Sequence, residues 1–150
     1  MTDYPDTGFL CSLYAPDAHS VAAIAAMKRQ SAPLAFAWIH QLEFRNALRL
    51  RVFRKEITAK QRDASLNHLL ADLAGGVLEH HQPPLSEVMT EAERLSATHS
   101  ERLGTRSLEI LHVAAALVNG ARTFLTFDRP ARSRRSQGCR ACRAPRCDPA

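Results

Sequence analysis

No run of about 18 apolar residues occurs anywhere in the 150-residue chain, so no membrane span is expected. The first residues lack a basic stretch leading into an apolar one. That leaves no secretory signal to read and points to the cytoplasm. No Gly-x-x-x-x-Gly-Lys loop is present, and position 8 is Gly, so Asp6 starts no Asp-x-Asp pair; both absences argue against other doubly wound phosphate enzymes. Cysteine is scarce before residue 129: Cys11 stands alone and is expected to be a reduced, semi-buried filler. Cys139, Cys142 and Cys147 follow later with no histidine near them, so the fourth ligand of a structural zinc site is missing.

Residues 129–150 also lack Leu, Ile, Val, Phe and Met entirely. Such a segment buries too little apolar surface to offset its ordering entropy, so an irregular tail is expected. The net charge of +5 belongs to it: seven Arg and one Asp lie there, against 13 basic and 14 acidic residues in 1–128. The basic balance therefore says little about how the folded body meets nucleic acid. The division expected is a folded domain over 1–128 and a basic Cys/Arg/Pro-rich tail over 129–150. The tail's Arg/Ala/Pro/Cys mix reads like GC-rich codons translated out of frame.

What is present before residue 129 alternates between strand and helix. Tyr4 leads into Asp6 as a short strand, and Thr7 to Tyr14 turns into a helix. Asp17 is placed to cap a helix from Ala18 to Gln30. Leu34 to Ala37 reads as a strand and Ile39 to Lys55 as a helix, with Leu42, Phe44, Ala47, Leu48 and Val52 on its buried side. Thr58 can cap a helix ending at Gly75-Gly76, and Val77 to Gln82 reads as a strand before Pro83-Pro84. Leu85 to His99 is helical again. Thr105 can cap an almost wholly apolar helix from Arg106 to Asn119, expected to be buried on most sides. A last strand runs over Thr123 to Asp128. This alternation predicts an α/β fold whose mostly parallel sheet is covered on both faces.

Asp6 and Asp128 fall at strand ends, where ligands of open parallel sheets collect. Glu43 and Glu109 sit in helices that can point to the same place. Intervals of 37, 66 and 19 residues rule out a local metal loop, so any joint site is assembled by the fold. Converging carboxylates repel one another unless a cation neutralises them, and hard oxygen ligands suit Mg²⁺ or Mn²⁺. A metal pair of this kind activates water against a phosphodiester. Thr7 and Thr126 offer hydroxyls to ligands or phosphate; Asn46 and His112 are candidates to support the acids.

The stretches Asp6-Thr7-Gly8-Phe9-Leu10, Leu42-Glu43-Phe44-Arg45-Asn46-Ala47-Leu48, Arg106-Ser107-Leu108-Glu109-Ile110-Leu111-His112-Val113-Ala114 and Phe124-Leu125-Thr126-Phe127-Asp128 resemble, in that order, the motifs of the PIN-domain family, in particular VapC-type toxin ribonucleases. The resemblance covers about residues 3–128. It implies a three-layer α/β/α sandwich with an acid-lined Mg²⁺ or Mn²⁺ site formed by Asp6, Glu43, Glu109 and Asp128. It further implies RNA hydrolysis leaving a 3′-hydroxyl and a 5′-phosphate, a homodimer, and a cognate antitoxin that blocks the site. Arg45 and Arg49 are expected to steer the RNA backbone. The family's third acid is usually Asp, whereas Glu109 stands here with one methylene more. That departure supports an alternative, a catalytically degenerate module that binds antitoxin and RNA without turnover.

Overall fold

The computed structural model describes residues 2–128 and the backbone of residues 140–143. The body runs β1 (Asp3–Pro5), α1 (Thr7–Tyr14), α2 (Ser20–Met27), β2 (Leu34–Phe36), α3 (Trp38–Phe53), α4 (Ala59–Ala74), β3 (Leu78–His80), α5 (Leu85–Leu103), α6 (Ser107–Val118) and β4 (Thr123–Thr126). These four strands are parallel, in the spatial order β3-β2-β1-β4. Strand residues alternate between the two faces. Leu34, Phe36, Leu78 and Leu125 pack with Phe9, Leu10, Phe44, Leu48 and Leu69 from α1, α3 and α4. Tyr4 and Ala35 point the other way, into Val88, Ala92, Leu95 and Ala114–Ala116 of α5 and α6. The result is a three-layer α/β/α sandwich. No helix among the described residues is long and apolar enough to cross a membrane.

The chain leaves β1 toward β2 and β3 on one side, yet β4 pairs with β1 on the other, with Pro5 opposite Leu125. The sheet therefore has its topological switch between β1 and β4, where a crevice opens beyond the strand ends. The Asp6 amide donates to the Leu125 carbonyl (2.9 Å) and closes the base of that crevice. Pro5, which has no N–H to give the ladder, is the last residue of its strand.

Several expectations are corrected. Leu42 is 72 % exposed, because it lies about 200° around α3 from the buried Phe44. Asp17 does not cap α2 from the N-cap position; that helix starts at Ser20, and the Asp17 carboxylate instead accepts from the His19 amide (2.8 Å). Thr105 does not cap α6, since its hydroxyl is bonded to Ser100 and the N-cap position falls to Arg106. Leu108 is half exposed, so α6 is less enclosed than its composition suggests. The last body strand stops at Thr126, two residues before Asp128. Within the tail, the backbone of Arg140–Arg143 forms β5, antiparallel to β4, with Thr123 opposite Arg143 and Thr126 opposite Arg140. Ladder bonds at an open sheet edge need backbone groups only, which is why a segment without large aliphatic residues can make them. Residues 129–139 and 144–150, with Cys139 and Cys147, lie outside the described residues.

Candidate active site

Asp6 follows β1 and caps α1. Its Oδ1 accepts from the Phe9 amide (2.6 Å), and its carboxylate also accepts from the Thr126 hydroxyl. Thr126 in turn accepts from the Asp128 amide (2.9 Å), so one hydroxyl ties the end of β4 to the end of β1. Burial pushes the Asp6 carboxyl above its ordinary value, the nearby Asp128 adds to that rise, and the Thr126 and Phe9 bonds oppose it. A Cβ at Gly8 would lie 3.3 Å from Asp6 Oδ1, so glycine keeps the flank of this carboxylate open.

Glu43 comes in from α3, whose phase is fixed by the buried Phe44 and Leu48. Its Oε2 accepts from the Thr7 hydroxyl (2.7 Å) and from His112 Nε2 of α6. Thr7 has spent its proton on Glu43 and can only accept from His112, 3.1 Å away, so Nε2 carries the imidazole proton. Tyr4, completely buried, has its hydroxyl 3.1 Å from Nδ1. Burial, together with the charges of Glu43 and Asp6, raises the Tyr4 pKa and keeps it a phenol, the form able to donate. Burial pushes the Glu43 carboxyl up, but the bonds from His112 and Thr7 win, and it is held below the usual range.

Beneath this pair lies His40, with its ring centre 5.0 Å from His112 and 4.8 Å from Tyr4. Its Nδ1 accepts from the Ala37 amide (2.9 Å), so Nε2 carries the proton given to the Pro5 carbonyl (2.7 Å). Burial, then the neighbouring His112, lowers its pKa to about 3, so it stays neutral.

Glu109 opens α6 and turns outward. Its oxygens accept from the Arg106 amide (3.1 Å) and the Arg106 guanidinium (2.6 Å). Those bonds, the amide first, hold its carboxyl below the usual range. Asp128 is exposed at the opposite rim. All four acids nevertheless line one cleft of about 1130 Å³, together with Thr7, Gly8, Arg102, Arg106, His112 and Thr126. Among the described residues, no three His, Cys, Asp or Glu side chains stand close enough to hold one metal ion. Asp6, Glu43, Glu109 and Asp128 thus share a cleft without forming a closed cluster.

The remaining expected positions do not reach it. Asn46, Arg45 and Arg49 are exposed on α3 and line neither this cleft nor its neighbour. The cations at the main cleft are Arg102 and Arg106. Arg51 and Arg54 line a second cleft of about 470 Å³, which shares the Asp6–Gly8–Asp128 lip. Tyr4, His40 and these arginines are the residues sequence reasoning passed over. Cys11 is partly buried and free, and burial pushes its thiol up to about 12, consistent with an inert filler.

Comparison with solved structures matches this arrangement of elements to VapC20 of Mycobacterium tuberculosis, described as a sarcin–ricin-loop-cleaving toxin. The TM-score is 0.64 at 16 % identity, over 85 % of this chain and 90 % of that one. This chain has the PIN fold of the VapC toxins. VapBC2 of Rickettsia felis, solved with a fragment of its promoter DNA, aligns similarly: TM-score 0.62, 16 % identity, 85 % of this chain and 89 % of that one. No protein-family model and no curated protein matches the sequence. The VapC-like fold accounts for the parallel sheet, its strand order and the crevice at the β1–β4 switch.

By type, carboxylate oxygens suit a hard divalent cation, although the four here do not close around one. Asp6 is a buried carboxyl raised by burial and by the nearby Asp128 charge, and a cation between them relieves both penalties. The open flank at Gly8 leaves room beside Asp6 Oδ1.

Proposed function

We propose that this chain is a metal-dependent endoribonuclease, acting in the cytoplasm as the toxin half of a toxin–antitoxin pair. The observation that carries the reading is that Asp6, Glu43, Glu109 and Asp128, from separate parts of the chain, line one cleft at the switch point of a VapC-like sheet. Asp6, Glu43, Glu109 and Asp128 would hold Mg²⁺ or Mn²⁺. When bound, such ions activate water and neutralise charge on a phosphodiester. The chain's own residues set up that chemistry. Thr126 and the Phe9 amide fix Asp6; Thr7 and His112 fix Glu43; Arg102 and Arg106 at the rim attract the phosphate backbone. Cleavage would leave a 3′-hydroxyl and a 5′-phosphate. A homodimer and a cognate antitoxin that covers the acids complete the proposal; the pairing of VapB with VapC in the Rickettsia complex supports the antitoxin partner.

A second reading, a degenerate module that binds antitoxin and RNA without turnover, is favoured by one observation: Glu109 is paired with Arg106 rather than turned to the other acids. RNA incubated with the purified chain, with and without Mg²⁺ or Mn²⁺, decides between them. Metal-dependent cleavage that Asp6→Asn abolishes supports the nuclease. Unchanged cleavage by that variant refutes the assigned site. RNA or antitoxin binding with no cleavage under any metal supports the second reading.

A further inference from the structure

The second cleft lies across the lip of Asp6, Gly8 and Asp128, and its wall carries two stacked rings, Phe127 and His19, backed by a third in the core. Phe9, fully buried, is 5.5 Å from Phe127 with the planes 14° apart. Phe127 is 4.7 Å from His19 with the planes 10° apart. The ladder thus runs from the core through Phe127 to His19, which is exposed and ends the stack at solvent.

The backbone that carries the outer ring is held in place. Asp17 Oδ1 accepts from the His19 amide, Asp17 Oδ2 accepts from Ser12 (2.9 Å), and Ser20 Oγ accepts from the Asp17 amide (2.9 Å). Arg51 donates to the Pro16 carbonyl (2.8 Å) and pairs with Glu56, tying the loop to α3. Three of the four acids that line this cleft, Asp6, Asp17 and Glu56, are therefore already engaged. Arg54, at the end of α3, lines the same cleft and makes no ion pair among the described residues.

We propose that this cleft is a nucleotide subsite. A base of a single-stranded RNA, beyond the phosphodiester held at the acids, stacks on the outer face of His19, and Arg54 meets the adjoining phosphate. The inference rests on the ribonuclease reading but concerns different residues. A flat ring backed by two others offers stacking without loss of side-chain freedom, and every base has a face to stack.

The test uses the full chain in Ca²⁺ and measures affinity for single-stranded RNA hexamers and dinucleotides. The hexamers carry 2-aminopurine at each position in turn. The wild type is expected to prefer the hexamer and to quench 2-aminopurine at one position outside the acids. His19→Ala is expected to lower the hexamer-to-dinucleotide affinity ratio roughly 5- to 150-fold and abolish that quench. His19→Phe is expected to keep both. Three results overturn the proposal: His19→Ala with an unchanged ratio and quench, His19→Phe as impaired as His19→Ala, or loss in His19→Ala of antitoxin capture but not of RNA binding. If the wild type cleaves RNA while the His19 variants show no change, only the subsite falls. If it neither binds nor cleaves RNA, the ribonuclease reading falls with it.

Discussion

Replacing His112 by Ala tests how the site is built. His112 is 5 % exposed and joins three elements: Tyr4 of β1, Thr7 of α1 and Glu43 of α3. Truncation removes a donor to a carboxylate, about 1.5–3 kcal/mol for a bond to a charged group, and leaves the buried Tyr4 hydroxyl without its acceptor, about 1–3 kcal/mol. The two losses overlap, because a relaxed Tyr4 can admit water. A destabilisation of about 3–4 kcal/mol is expected, a large share of the roughly 5–15 kcal/mol available to a domain. Urea titration at pH 7 reads it directly.

The loss also has a pH signature. Glu43 is held below its ordinary value in the folded chain, so near that value the folded state binds fewer protons than the unfolded one. Its stabilisation is complete above the unfolded pKa of about 4.3 and disappears as pH falls through the folded value. The gap between wild type and His112→Ala is therefore expected to narrow on going from pH 7 to below pH 4. A gap of the same size at both ends would refute the claim that His112 acts through the Glu43 carboxylate. A gap under about 1 kcal/mol at pH 7 would refute the network as a whole.

Asp6→Asn is expected to abolish metal-dependent RNA cleavage while changing stability by less than about 1 kcal/mol, because Asn caps a helix as well as Asp; urea titration beside the cleavage assay checks both. Gly8→Ala places a methyl 3.3 Å from Asp6 Oδ1 and is expected to weaken Mn²⁺ binding in calorimetry, with α1 and the fold retained by circular dichroism. Glu109→Asp is expected to raise cleavage by orders of magnitude if the extra methylene misplaces the carboxylate, since an error of about 1 Å can cost 10²-fold; an unchanged rate removes that explanation. His40, held neutral down to about pH 3, charges only on unfolding, so its contribution is full above pH 6.5 and lost as pH falls toward 3, by at most about 1.4 kcal/mol per pH unit; His40→Gln is expected to flatten that slope in urea titrations.

Much of the framework is legible in the sequence. Thr58 caps α4 as expected, with Gln61 completing a capping box, because Thr-x-x-Gln ahead of an apolar run is a local signal. The alternation of strand and helix gave the layers, and the switch point follows once β4 is seen to pair with β1. The contacts behind the acids were not readable. Tyr4, His40 and His112 meet only after β1, α3 and α6 have packed, and the positions at 4, 40 and 112 carry no shared spacing. The partner of Glu109 was nearer to hand: Arg106 precedes it by three residues, the separation at which a helix N-terminus closes on its own carboxylate.

The arginines show what phase can decide. A helix advances about 100° per residue, so relative to Glu43 the side chain of Arg45 lies about 200° around α3 and that of Arg49 about 240°. Both face away from the crevice, and both are exposed outside it. The same count places Ala47 at about 40°, Leu50 at about 340°, Arg51 at about 80° and Arg54 at about 20°. These four line the cleft that adjoins the acids. Proximity in sequence to Glu43 singles out Arg45 and Arg49, whereas angular distance singles out the pair that lines the adjoining cleft. If RNA crosses the Asp6–Gly8–Asp128 lip, Arg54→Ala lowers its affinity and reduces the salt slope by about one, while Arg45→Ala leaves both unchanged. Equal effects from the two variants would mean that the strand does not follow this side of α3.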